Sequence, residues 1–198
     1  MDTDRRTWQG VLCSVTLVLA AALALIGALA LGWNSPVPTR PPDWQSAALS
    51  SCLRAAPREA RVMLLERPAG DFVLETTATP LSASGDDAYG LVYRAQGAAH
   101  YYGFVVGSDG YYAVLRVEGD ERIALVDWQQ FPHVHRGRQS NRLRVECAGA
   151  VCRFYINDEY AATVEDDTWL AGDVGLLVRG GESAVAVQFQ SASVWLEM

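Results

Sequence analysis

Apolar and polar positions change rhythm twice along this chain. Residues 8–33 are overwhelmingly apolar and carry no charge, with Trp8 and Trp33 at the two ends. Residues 34–43 are polar and rich in proline, and from Arg61 onward apolar and polar residues alternate with a period of two. About 20 apolar residues suffice to cross a ~30 Å hydrocarbon core as a helix. Tryptophan at each end suits the two membrane interfaces. The run reads as a transmembrane signal-anchor helix over 8–33 behind a cytoplasmic tail at 1–7. A cleaved secretory signal is the alternative, with Ala28-Leu29-Ala30 as its cleavage site. Such signals, however, have an apolar stretch of only about 7–15 residues. Cys13 lies near the start of the run, where a lipidated cysteine would follow it. Arg5 and Arg6 precede the span and the next basic residue is Arg40. Basic residues stay on the cytoplasmic side, which makes this a single-pass protein of the cell membrane with residues 34–198 extracytoplasmic.

The segment NSPVPTRPPD at 34–43 holds four prolines. Such a segment is extended and semi-rigid. It predicts a stalk over 34–60, within which Asp43 is placed to cap a short amphipathic helix over 44–55 that Pro57 ends. An irregular stalk is the alternative.

The alternating stretches follow at 72–79, 90–95, 101–106, 111–117, 122–128, 142–147, 152–157, 160–164, 173–179 and 184–198. Turn signals such as Ser84-Gly85-Asp86-Asp87, Ser108-Asp109-Gly110 and Gly180-Gly181 separate them. Short strands at regular spacing with turns between them predict an all-β antiparallel β-sandwich (jelly roll) over 61–198.

Composition narrows the partners. The chain has 198 residues and a net charge of −7, and every one of its basic residues is arginine. That charge argues against nucleic acid and against an anionic membrane surface. Cys147 and Cys152 flank a hairpin turn at Gly149-Ala150, which sets them opposite each other on an apolar face. Opposed hairpin positions lie within disulfide reach. A pair of buried thiols is the other reading. Cys52 is left over, either as a free thiol or as a link between two chains in a dimer.

The stretches DFVLETTAT, DDAYGLVYRAQGAAHYYGFVVGSDGYYAVLRV, LVDW, NRLRVECAGAVCRFYINDEYAATV and DVGLLVRGG occur in this order. In them the chain resembles the concanavalin A-like lectin/glucanase superfamily. The closer likeness is to its sugar-hydrolase-like domains of unknown function and laminin-G-like modules. The resemblance implies a sandwich with one curved sheet whose open face holds sugar. Alternation puts Leu91, Tyr93, Tyr102, Phe104, Tyr111, Ala113, Leu115 and Val117 inward. It leaves Arg94, Tyr101, Tyr112 and Arg116 outward, as residues to stack on a sugar ring and bond its hydroxyls. An ordinary solvated face is the competing reading. Trp128 reads as core.

Catalytic chemistry is thin. The glucanase relatives use an E-x-D-x-x-E strand to place two carboxylates on one face, and this chain has none. Glu165-Asp166-Asp167 reads as a solvated turn. Asp86-Asp87 has the oxygen ligands of a calcium site, but an ordinary turn explains it as well. His133 and His135 lack a third zinc ligand, and Pro132 between them and Phe131 suggests a loop. No metal or cofactor is required. The expected function is non-catalytic binding of a glycan or another cell-surface ligand. The alternatives are a protein-binding module of the cell envelope and a glycoside hydrolase with atypical acids.

Overall fold

A computed structural model of the chain describes Thr16, residues 18–20, Ala22, residues 40–46 and residues 52–196. Two compact units divide it, Met1–Arg40 and Pro41–Met198. In the first, Thr16, residues 18–20 and Ala22 are helical and Arg40 lies in a bend. The rest of the expected span over 8–33, the tail at 1–7, Cys13 and the alternative cleavage site lie outside the described residues. Among the described residues no helix is long and apolar enough to cross a membrane.

The second unit is all-β. Its strands are β1 (Trp44–Gln45), β2 (Cys52–Ala55), β3 (Ala60–Ala69), β4 (Phe72–Pro80), β5 (Ala88–Gly97), β6 (His100–Val106) and β7 (Tyr111–Glu118). They continue with β8 (Glu121–Gln130), β9 (Asn141–Ala148), β10 (Val151–Ile156), β11 (Glu159–Glu165), β12 (Gly172–Arg179) and β13 (Val185–Leu196). One sheet has the order β1-β13-β4-β9-β10-β11, with β2 also on β13; the other runs β3-β12-β5-β6-β7-β8. Every pairing is antiparallel.

Alternation explains the sandwich. Phe72, Leu74, Leu143, Val145, Phe154 and Phe189 point from the first sheet into the same core as Tyr89, Leu91, Tyr93, Tyr102, Phe104 and Leu176 from the second. Burying one such side chain contributes about 1.5–3 kcal/mol. Rings meet across the layer, Phe104 on Phe154 at 5.0 Å and Tyr93 on Phe154 at 5.9 Å.

The stalk and helix expected over 34–60 are corrected where they are described. Trp44 pairs with Val194, and Cys52–Ala55 pairs with Val185–Gln188. A strand edge offers unpaired N–H and C=O groups, and β13 takes up both short strands. Trp44 and Leu53 gain contact with the core in return. Residues 47–51 lie outside the described residues. Cys52 is a free, half-buried thiol within a strand.

The hairpin β9–β10 matches its expected register, with Cys147 opposite Cys152 and Ala148 opposite Val151. The two cysteines form a disulfide with Cα atoms 4.1 Å apart. Gly149 turns the chain at φ 54°, a conformation that favours glycine. Two asparagines from the motifs NRLRV and FYIN fasten the loop at 131–140. Buried Asn141 donates to Tyr89 Oη at 2.8 Å and accepts from the His135 amide at 2.8 Å. Asn157 donates to the His133 carbonyl at 2.7 Å. His133 thus serves this loop through its carbonyl, and His135 through its backbone and through its ring Nδ1, 2.9 Å from the Ser140 carbonyl.

Candidate functional site

The outer face of the six-stranded sheet carries a second apolar cluster. Ala88, Val92, Tyr101, Val105, Ala113, Val117 and Leu177 form it, with Val62, Leu64 and Leu115 packed against them. Ala60 of β3 and Ala124 of β8 line one depression of about 190 Å³ on this face. Those strands are opposite edges of the sheet. At ~4.8 Å per strand they would stand roughly 24 Å apart on a flat sheet, so the face is concave.

Tyr101, Val105, Leu115 and Leu177 floor the depression, and Trp128, Arg122 and Arg179 complete it. Gly103 makes room on the floor: a Cβ there would lie 3.1 Å from Leu115 Cδ1 and 3.7 Å from Tyr101 Cε2. Trp128 is 44% exposed, an aromatic ring offered to solvent beside an apolar floor. Burial pushes the Tyr101 phenol above its ordinary pKa, against the opposing charge of Arg122. The Arg179 Nε is buried with no hydrogen-bond partner, a condition that costs about 1–3 kcal/mol. Among the described residues no Asp or Glu lines the depression. The arrangement can stack a ring and donate guanidinium hydrogen bonds; it holds no acid–nucleophile pair.

The four residues expected on an open face are parted. Tyr101 is on the concave face, in its floor and only 5% exposed. Tyr112 faces the opposite way, into the main core. Its hydroxyl donates to the Ala161 carbonyl at 2.9 Å and accepts from Gln129 at 2.8 Å. Arg116, which pairs in register with inward-facing Tyr102, is held by Glu118 at 2.7 Å and by Asp166 at 2.5 Å. The inward set assigned to β7 is therefore inverted: Ala113, Leu115 and Val117 face the concave side. Both faces of this strand are apolar, as in strands buried on both sides, so counting apolar positions cannot choose between them.

Arg94 departs for another reason. The pairing of β5 shifts after Tyr93, and Arg94 has φ 48°. Such a bulge re-aims a side chain. Arg94 turns inward, 1% exposed, and donates to the carbonyls of Gly149 at 2.5 Å, Gly70 at 3.2 Å and Trp169 at 3.4 Å. It ties the second sheet to the disulfide hairpin of the first.

Trp128, read as core, is the exposed aromatic of the groove. Asp166, read as solvated, accepts from Tyr102 Oη at 2.5 Å and from the Thr168 amide at 2.9 Å. Asp87 is buried and accepts from Ser108 N and Ser84 N, each at 3.2 Å. Asp86 accepts from the Glu182 amide at 2.5 Å, which holds its carboxyl below the ordinary carboxylate value. Both carboxylates are thus used to weld loops together. Among the described residues no group of three or more His, Cys, Asp or Glu is arranged to hold a metal ion.

No protein-family model matches the sequence, and no curated protein does. Solved structures match the fold. The carbohydrate binding module CBM66 from Bacillus subtilis has a TM-score of 0.62 and 18% identity, over 72% of this chain and 85% of that one. The GH43 protein BlXynB from Bacillus licheniformis has a TM-score of 0.54 and 14% identity, over 74% of this chain and 33% of that one. A functionally unknown protein from Saccharomyces cerevisiae has a TM-score of 0.52 and 14% identity, over 76% of this chain and 98% of that one. These likenesses are of fold. The chain shares their fold, a sandwich of two antiparallel sheets.

Proposed function

We propose that this protein binds a glycan in the concave face of its six-stranded sheet, without catalysis, and is held at a membrane by residues 8–33. The carrying observation is the exposed Trp128 beside buried Tyr101, with Arg122 and Arg179 lining the same depression. A sugar ring presents an apolar face to an aromatic ring and its hydroxyls to charged donors, and this depression offers both. The likeness to a carbohydrate-binding module, which covers most of that module, supports the same reading. The disulfide supports an oxidising, extracytoplasmic compartment. The uncharged run between Trp8 and Trp33 supports the anchor.

The test is a glycan-array screen of the full chain in mild detergent, with and without calcium. Saturable binding is expected, weakened about tenfold or more by Trp128→Ala, which corresponds to roughly 1.4 kcal/mol. Binding that survives Trp128→Ala would move the site off this face. A blank array from folded, disulfide-intact protein would replace the glycan with an envelope protein as ligand.

A further inference from the structure

We infer that the glycan taken by this face is anionic, a saccharide bearing carboxylate or sulfate groups; this rests on the carbohydrate reading of the groove. The groove's polar equipment is one-sided. Arg122 belongs to β8 and Arg179 to β12, with β5, β6 and β7 between them. Both line the same depression, one from each side of the Tyr101 floor. Among the described residues neither arginine has an ion-pair partner. The Arg179 Nε is also buried without a hydrogen-bond partner.

Two acids beside the pair do not neutralise it. Asp86 feels the charge of Arg179, but its carboxylate is already bonded to the Glu182 amide. Asp120 lines an adjoining depression with Arg122 and makes no ion pair with it. The chain as a whole carries −7, so two unpaired guanidinium groups on an apolar floor are a local inversion of its charge. A guanidinium presents a planar fork of donors that matches the paired oxygens of a carboxylate or sulfate. A neutral sugar would leave both forks without a charged acceptor.

The experiment titrates the full chain in detergent with matched pairs of ligands. Uronate oligosaccharides are set against their methyl esters, and sulfated oligosaccharides against their desulfated forms. Masking or removing the charge is expected to weaken binding at least tenfold, and the pair that responds identifies the anion. Arg122→Gln and Arg179→Gln are each expected to lose about the same factor toward the acid form and little toward the ester. Arg179→Lys, which keeps the charge, is expected to recover part of the loss and guards against a merely misfolded glutamine variant. Added salt is expected to weaken the acid form and spare the ester. Equal binding of acid and ester would overturn the anionic assignment and leave glycan binding standing. So would a groove-dependent neutral ligand from the array with no response to either charged series. Loss of all saccharide binding, charged and neutral, would remove the carbohydrate reading itself.

Discussion

Arg94 is the residue whose structural role differs most from its place in the alternating pattern. Its guanidinium serves three backbone carbonyls, two of them in turns that border the first sheet. Removing it strands buried acceptors, so Arg94→Ala is expected to cost about 2–4 kcal/mol of stability, which a urea unfolding curve would measure. A loss below about 0.5 kcal/mol, the range of an ordinary surface change, would mean the clasp contributes nothing. Asp166 carries a pH-dependent share of stability. Burial pushes its carboxyl up, but hydrogen bonds from Tyr102 and Thr168 and the charge of Arg116 outweigh that and hold its pKa below the ordinary value. A carboxyl whose pKa is lower folded than unfolded adds stability above the unfolded pKa and loses it as pH falls through the folded one. Asp166→Asn is therefore expected to destabilise at pH 7, by a gap that starts to shrink as pH falls below about 4 and closes only once pH passes below the lowered folded value. Unfolding curves followed down through that range check this, and a gap independent of pH would remove the linkage. Neither role was legible beforehand. A bulge is a backbone event with no period of its own, and a partner some 50 residues away, as Arg116 is for Asp166, leaves no local trace.

At the scale of the element, the position of a strand was readable across most of the sandwich, and which way its residues face was readable where one face is wet. The ten alternating stretches correspond to β4 through β13. The three earlier strands were missed for separate reasons. β1 has two residues and β2 has four, too few to display a period. In β3 the run Val62-Met63-Leu64-Leu65 is continuous, because alternate residues pack on the two apolar clusters, and Glu66 at φ 54° and Pro68 then break the pattern. The same double burial reversed the faces of β7. The β9–β10 hairpin lies at the opposite extreme. One face of it is apolar throughout, and a glycine marks the turn, so register and disulfide both followed from local pattern. Closing so short a loop constrains the unfolded chain modestly. Cys147→Ala with Cys152→Ala is expected to cost about 2 kcal/mol by loop-entropy reasoning, seen as a lower urea midpoint with an unchanged slope. A much larger loss would assign the bridge a packing role in the core as well.

For the whole molecule, the decisive quantity is the charge-free length between Trp8 and Trp33. At 1.5 Å per helical residue, about 20 residues match the ~30 Å hydrocarbon core. The sandwich unit begins at Pro41. The full chain is expected to remain with membranes through alkaline carbonate washing, at its full mass of 21.5 kDa. Each arginine placed near the centre of such a span costs about 2.5–3.5 kcal/mol on insertion scales. Leu19→Arg with Leu25→Arg should therefore move the protein to the soluble fraction while leaving the Cys147–Cys152 bridge intact where the domain still reaches an oxidising compartment. Release of the wild type by carbonate, at a mass lower by some 30 residues, would instead identify the run as a cleaved signal. The sandwich would then act as a secreted glycan binder, free to diffuse to its ligand. Retention at full mass would confine it to glycans within reach of the bilayer.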